Sequence, residues 1–176
     1  NVTLYIAATA GLLLTVCLWY VIPETKRVKA TDEPAPPTLS YNEFFQAVFK
    51  LCKNPQMWLV GAIGSLFYLS LSAFAEVWGI PYLIRTYGLS NSSAAVDISF
   101  IFLGWAIGSP LVGWISDKIG NRRRPIIIGA LLGAALFTLL IYFPYVSSHF
   151  LGFLLFSFGL CSSAQIIVFP IARELN

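Results

Sequence analysis

The side chains that could do chemistry in this sequence are few and far apart. Only two carboxylates, Glu76 and Asp97, fall inside long apolar runs. The three cysteines have no metal-ligand spacing and His149 is the single histidine, so neither a metal centre nor a nucleophile–base pair is expected. We therefore expect no cofactor and no enzyme. An isolated carboxylate in an apolar chain can instead carry a proton or face a polar solute.

Glu76 belongs to a series of polar and small residues that recur at steps of three or four. The series is Gly61, Ser65, Tyr68, Ser72, Glu76 and Gly79. On an α-helix these residues fall within an arc of about 80°. A polar stripe on a membrane helix predicts a cavity or a partner on that side. The alternative is a helix–helix contact held by small and hydroxyl residues.

The position of Glu76 leaves two interpretations open. It lies about 27 Å along a helix from Trp58, near the far end of the run, where an ionised carboxylate can simply reach water. However, Gly79 and Pro81 follow closely and should loosen the helix. Irregular backbone inside a membrane normally lines a cavity.

Asp97 and Gln165 are weaker candidates for the same cavity. Asp97 lies near the start of its run, where the helix N-terminus, capped by Ser92 or Ser93, would also favour a negative charge. Because it shares a helical face with Gly104 and Gly108, we expect it to point into the protein. Gln165 is a polar residue near the end of the last run.

Composition places these residues in a bilayer. Of the 176 residues, 57% are hydrophobic and 11% charged, and the mean hydropathy is +0.76. Ordinary soluble domains have roughly 25% charged residues. A soluble domain and a disordered chain are therefore excluded, and a net charge of +3 gives no reason to expect nucleic-acid binding. The lipid bilayer is the expected partner.

Five apolar runs are long enough to cross a bilayer as helices, which takes about 20 residues each. The runs are 3–22, 57–83, 94–115, 126–143 and 149–170. The first run has only threonines as polar residues in its core, and the fourth has only Thr138. These two helices should face lipid, whereas the others should approach a polar interior.

Basic residues predict the orientation. On one side lie ten of the eleven: Lys26, Arg27, Lys29, Lys50, Lys53, Lys118, Arg122, Arg123, Arg124 and Arg173. Only Arg85 lies on the other side. Because cytoplasmic loops are rich in Lys and Arg, we expect loops 23–56 and 116–125 to be cytoplasmic. The chain would be a multi-pass protein of the plasma (inner) membrane.

The long loop 23–56 has two parts. Residues 31–37 are rich in proline and predict an extended linker. Ser40 and Glu43 then have the spacing of a capping box. Phe44, Phe45, Val48, Phe49 and Cys52 would form one apolar face of a short helix on the membrane surface. The alternative is a disordered linker end.

The turn after the third run carries a recognisable motif. In "GWISDKIGNRRRP" the pattern comprises Gly113, Asp117, Lys118, Gly120, Arg122 and Arg123. It resembles the signature loop of the major facilitator superfamily. Asn121 departs from the pattern, since a basic residue is usual there, and Arg124 could supply the charge. Gly113 would allow a close backbone approach and Gly120 a tight turn, whereas Asp117 suits a helix N-terminus or an arginine partner. For the arginines, simple anchoring by the positive-inside rule is the alternative.

The resemblance implies an all-α membrane protein with a major facilitator-type helical bundle, of which five transmembrane helices are present. A helix, a long loop and then the helix pair before the motif match helices six to ten of twelve. Residues 1–22 would be helix six, 23–56 the central loop, and 57–176 four helices of the C-terminal half. Helices six and nine are peripheral in this family, which agrees with the two runs that lack polar stripes.

Two acids lie where the resemblance implies a cytoplasmic gate. "FPIARELN" places Glu174 at the end of helix ten, and "IPETKR" places Glu24 after helix six. We expect Glu174, and also Glu24, to pair with the arginines 122–124 as a latch. Such pairs would favour the outward-open state.

The resemblance also implies function. It predicts a secondary active transporter, in symport or antiport, that moves a small polar organic solute by alternating access. Glu76 is the candidate for proton coupling, and the missing helices of the same transporter would complete the cavity. A non-transporting structural or receptor-like membrane protein is the alternative. A channel is disfavoured because no filter-like ring or charged pore row is visible.

Overall fold

The computed structural model describes residues 2–21, 40–143 and 147–175, and their regular structure is entirely helical. The helices are α1 (Val2–Val21), α2 (Tyr41–Lys53), α3 (Pro55–Ser72), a π-helix (Ala73–Trp78), α4 (Gly79–Tyr87), α5 (Asn91–Ile119), α6 (Arg123–Tyr142), α7 (Ser148–Ser162), a 3-10 helix (Ser163–Ile167) and α8 (Val168–Glu174). Glu24 and the linker 31–37 lie outside the described residues.

The chain divides into two compact units, 1–43 and 44–176. In the first unit, the side chains of α1 whose surroundings are described are exposed. Two of its threonines bond within the helix, where Thr9 donates to the carbonyl of Tyr5 and Thr15 to that of Gly11, both at 2.9 Å. These two hydroxyls are therefore satisfied without a partner helix.

Among the described residues, four helical stretches are long and apolar enough to cross a membrane. They are Pro55–Tyr87, Asn91–Ile119, Arg123–Tyr142 and Phe150–Glu174. The second to fifth runs are thus helical, but their helices begin or end several residues away from the predicted bounds. Among the described residues of the first run, Gly11–Tyr20 is a shorter apolar helix. Its crossing of the membrane stays a prediction.

Polar caps account for most of the differences at the helix ends. The Asn54 side chain accepts from the backbone N–H of Gln56, and Pro55 occupies the first helical position, so α3 begins earlier than its apolar run. Ser90 caps α5 by accepting from the N–H of Ser93 at 3.1 Å. The prediction of Ser92 or Ser93 as this cap was wrong, because both already lie in the first turn of the helix.

Helix α7 is the centre of the second unit, with Leu151, Leu154, Leu155 and Phe158 buried. Small residues let its neighbours approach closely. A Cβ on Gly104 of α5 would collide with the carbonyl oxygen of Phe156 and lie 3.0 Å from the backbone nitrogen of Leu160. On α6, a Cβ on Gly129 would lie 2.9 Å from the carbonyl oxygen of Cys161 on α7. The seams with α5 and α6 therefore join backbone to backbone.

Candidate functional site

Helix α3 has three faces with different surroundings. Val60, Gly64 and Leu71 are buried, and a Cβ on Gly64 would lie 3.0 Å from Val168 of α8. A second face, with Leu66, Leu69 and Ser70, borders apolar grooves shared with α6. The third face carries most of the predicted stripe.

The stripe face is turned away from the packed helices. Gly61, Ser65, Tyr68 and Glu76 are exposed, and Ser72 is half-buried. At 100° per residue, this face lies about 120° from the groove that α3 shares with α6. The two grooves bordering α3 and α6 are almost entirely apolar, with volumes of about 670 and 560 Å³. The polar face of α3 is thus separate from them.

Glu76 lies in the π-helix Ala73–Trp78. The N–H of Gly79 donates to the carbonyl of Phe74, five residues earlier, rather than to the residue four earlier. Pro81 contributes to this irregularity because it has no N–H to bond the carbonyl of Val77 and its ring crowds that carbonyl. The sequence predicted a loosened helix beside Glu76, and π-helical turns are frequent at functional sites.

Gly79 does not share the exposed stripe, so this member of the predicted series was wrong. It is buried, and a Cβ there would collide with the Ile98 side chain and lie 2.7 Å from the carbonyl oxygen of Phe74. The physical reason is the π-helix. Its extra residue per turn rotates every later position by about 100° from the α-helical phase.

Asp97 points towards α7, as its shared face with Gly104 and Gly108 predicted. A Cβ on Gly152 would lie 3.9 Å from a carboxylate oxygen of Asp97. Gly104 and Gly108 are buried on the same side. The structure gives no contact between Asp97 and Glu76.

Gln165 lies half-buried in the 3-10 helix Ser163–Ile167. This segment was not predicted as irregular. Pro170 explains it in part, since a proline cannot bond the carbonyl of Ile166 in an α-helix. The fifth span therefore has a joint between α7 and α8.

In the signature turn, a glycine and an asparagine set the conformation of the backbone between α5 and α6. Gly120 has a positive φ of 65° and its N–H bonds the carbonyls of Ser116 and Asp117, which ends α5 in a tight turn. The Asn121 side chain accepts from the N–H groups of Arg123 and Arg124 at 3.0 and 3.3 Å. Asn121 thus caps the start of α6, a role that a basic residue at this position could not perform.

Arg122 joins the turn to the end of α8. Its Nε and Nη2 atoms lie 3.0 Å from Oε1 of Glu174, and its Nη1 donates to Oδ1 of Asp117. The same Nη1 lies 3.5 Å from the hydroxyl of Ser116, which is fully buried. The predicted contact between Glu174 and the arginine run is therefore formed by Arg122, and the same guanidinium also holds Asp117.

The hydrogen bonds with Asp117 and then Glu174 raise the pKa of Arg122 above its ordinary value. A raised pKa on a base means that its charged state is lost only as the pH rises past that value. Arg122 stays protonated at all physiological pH values. Its attraction for the two carboxylates is therefore not switched by its own titration.

The other charged and glycine residues of the motif make fewer contacts than Arg122 does. Lys118 lies over the Trp114 ring at 5.0 Å, and Arg123 and Arg124 are exposed. A Cβ on Gly113 would meet nothing within 4 Å in the described residues. The close backbone approach predicted at Gly113 is therefore not found in this part of the chain.

At the start of α2, one of the two hydrogen bonds of the predicted capping box is present. The backbone N–H of Ser40 donates to the carboxylate of Glu43 at 2.8 Å. The predicted short helix forms as α2. The sequence did not identify Trp58, whose indole N–H donates to the carbonyl of Cys52 at 2.7 Å.

Comparison with known proteins agrees with the helices and the turn. A family model described as the Major Facilitator Superfamily matches residues 1–174. The Fosmidomycin resistance protein of Escherichia coli (strain K12) is 32% identical over 127 residues, which are 69% of this chain and 30% of that protein. The Membrane sensor protein UhpC of Salmonella typhimurium (strain LT2) is 35% identical over 71 residues, 40% of this chain and 16% of that protein.

A third relative, the Hexose-6-phosphate:phosphate antiporter of Salmonella typhimurium, is 29% identical over 111 residues, 59% of this chain and 24% of that protein. This chain thus spans less than a third of the length of these curated relatives. No solved structure matches it at a significant level. The family match, the membrane-length helices and the built signature turn lead to one conclusion: this chain is a multi-pass membrane protein that belongs to the Major Facilitator Superfamily.

Proposed function

We propose that the full-length protein moves a small polar organic solute across the membrane by alternating access. The observation that carries this proposal is the polar face of α3, on which Ser65, Tyr68 and Glu76 are exposed, whereas another face of the same helix is packed. Polar groups are costly against lipid, so this face favours a water-filled cavity. Gly61, Ser72, Asp97 and Gln165 are secondary candidates for its lining.

Family membership and the printed names of relatives support the same function, since one is a resistance protein and another an antiporter. Residues 1–22, 23–56 and 57–176 would then be helix six, the central loop and part of the C-terminal half. Loops 23–56 and 116–125 would lie in the cytoplasm, and the membrane would be the plasma (inner) membrane.

Glu76 is the proposed site of proton coupling. A carboxylate that faces a cavity can bind a proton on one side of the membrane and release it on the other. In full-length protein reconstituted into vesicles, Glu76→Gln should abolish uphill accumulation driven by a pH gradient and retain solute counterflow. Glu43→Gln, which removes a carboxylate outside the membrane spans, is the control. Uphill accumulation by Glu76→Gln would refute the coupling role.

The contact of Arg122 with Asp117 and Glu174 is proposed as a cytoplasmic latch, with Glu24 as a further partner. Arg122 and Glu174 both lie in the second unit, so rigid rocking of two half-bundles would leave their contact intact. We infer that α8 itself must swing for the latch to open. The 3-10 helix and Pro170 supply the joint.

A sensor is the second candidate, because one relative is named a membrane sensor protein. Reconstituted full-length protein decides between the two. A transporter shows saturable flux and counterflow of a solute that it binds, whereas a sensor binds the solute without flux. A screen of sugar phosphates and inorganic phosphate is the first choice, since the printed name of the antiporter contains both.

A further inference from the structure

Helix α2 has an exposed apolar face that the proposed transport does not use. Phe45 is 66% exposed and Phe49 64% exposed, and Val48 and Tyr41 are exposed on the same side. On a 13-residue helix these positions fall within one arc, opposite Glu43 and Lys50. Apolar surface of this kind marks an interaction site when it is contiguous.

The attachment of α2 to α3 places that face at the end of a membrane span. A single residue, Asn54, separates the two helices, and its N–H donates to the carbonyl of Leu51 at 3.0 Å. The Trp58 indole N–H holds the last turn of α2 through the carbonyl of Cys52. Since α3 begins a membrane span, α2 cannot leave the neighbourhood of the bilayer surface.

The charges of α2 complement an anionic surface. Lys50 and Lys53 lie in its last turn, and among the described residues no carboxylate pairs with either. Lys53 lies over the Phe49 ring at 4.8 Å, so its amine sits beside the apolar face. The acidic Glu43 is held at the other end by the N–H of Ser40.

We propose that α2 binds the headgroup layer of anionic phospholipids. Phe45, Val48 and Phe49 enter the boundary of the acyl chains, and Lys53, whose amine lies beside this face, binds a lipid phosphate. Trp58 is a positioning residue that fixes the angle between α2 and the span. This inference does not rest on transport, because it concerns the lipid contact of a membrane-protein helix.

The test uses full-length protein in which the native cysteines, among them the exposed Cys17 and Cys52, are replaced by serine. Spin labels are placed on this protein in nanodiscs of phosphatidylcholine, with or without phosphatidylglycerol. Labels are attached at Val48→Cys, on the apolar face, and at Gln46→Cys, about 160° away. In anionic nanodiscs the label at 48 should relax with oxygen and be shielded from a water-soluble nickel chelate. The label at 46 should show the reverse.

Lys53→Gln should lower the docked-to-undocked ratio about fivefold in anionic nanodiscs, at roughly 1 kcal/mol for one lysine near the surface. Lys50→Gln, on the side opposite the apolar face, should change the ratio much less. Lys118→Gln, which removes another lysine held over an aromatic ring, should leave the label at 48 unchanged. Equal access of the chelate to both labels would overturn the proposal. So would shielding of position 48 from oxygen and chelate together, which indicates a protein partner.

Discussion

At the scale of single residues, one guanidinium organises the charged end of the bundle. Arg122 contacts both Asp117 and Glu174, whose side chains are 67% and 56% exposed. Arg123 and Arg124 make no ion pair with a described carboxylate. The motif therefore divides its basic residues into one that bridges helices and others that remain available to water or lipid.

Replacing Glu174 should weaken the contact between the signature turn and the end of α8. In Glu174→Gln, Arg122 retains Asp117 and loses its charged link to α8. With the native cysteines replaced by serine, we expect Ser65→Cys, on the polar face of α3, to react up to about fivefold faster with a water-soluble maleimide from the cytoplasmic side. This is the size of effect typical of an exposed ion pair.

Arg173→Gln is the matched control, because it removes a neighbouring charge on α8 that has no ion pair among the described residues. The labelling rate should not change in this variant. If Glu174→Gln labels at the same rate as the unaltered protein, the contact braces the fold and does not act as a latch.

At the scale of elements, glycine contacts determine how the helices pack. In the seam between α5 and α7, a Cβ on Gly104 or on Gly159 would collide with the backbone of the other helix. Backbone cannot move aside as a side-chain rotamer can. The packing of α5 on α7 thus depends on the absence of two side chains.

Gly104→Ala should therefore destabilise the full-length protein by about 1–3 kcal/mol, the usual cost of overpacking. Thermal unfolding in detergent would show this as a lower midpoint. Gly61→Ala is the control, since a Cβ there meets nothing within 4 Å and alanine favours a helix. Equal midpoints for the two variants would contradict the close seam.

The sequence predicted helices better than their irregularities. Apolar runs identify membrane helices because lipid demands about 20 such residues, but the polar caps Asn54 and Ser90 lie outside those runs. Pro81 and Pro170 indicate that the α-helix is interrupted nearby, but they do not indicate whether the interruption is a π-helix or a 3-10 helix. A π-helix shifts the phase of later residues, so Gly79 was placed on the wrong face, whereas Ser65 and Tyr68, which precede the π-helix, share the exposed face with Glu76.

At the scale of the whole second unit, described contacts fix which ends lie together. Arg122, in the turn after α5, meets Glu174 at the end of α8, and Gly64, in the middle of α3, lies against Val168 at the start of α8. At the other end, the Tyr82 hydroxyl donates to the carbonyl of Leu140 at 3.0 Å. The basic turns therefore share one end, opposite Arg85.

This arrangement predicts the sidedness of the full-length protein. Positive loops stay in the cytoplasm. In intact cells with the native cysteines replaced by serine, a membrane-impermeant maleimide should therefore label Asn91→Cys, near Arg85, and leave Lys53→Cys unlabelled until the cells are made permeable. Both positions are exposed, so burial does not explain a difference between them. Labelling of Lys53→Cys from outside would reverse the orientation, and the contact of Arg122 with Glu174 would then be an external latch.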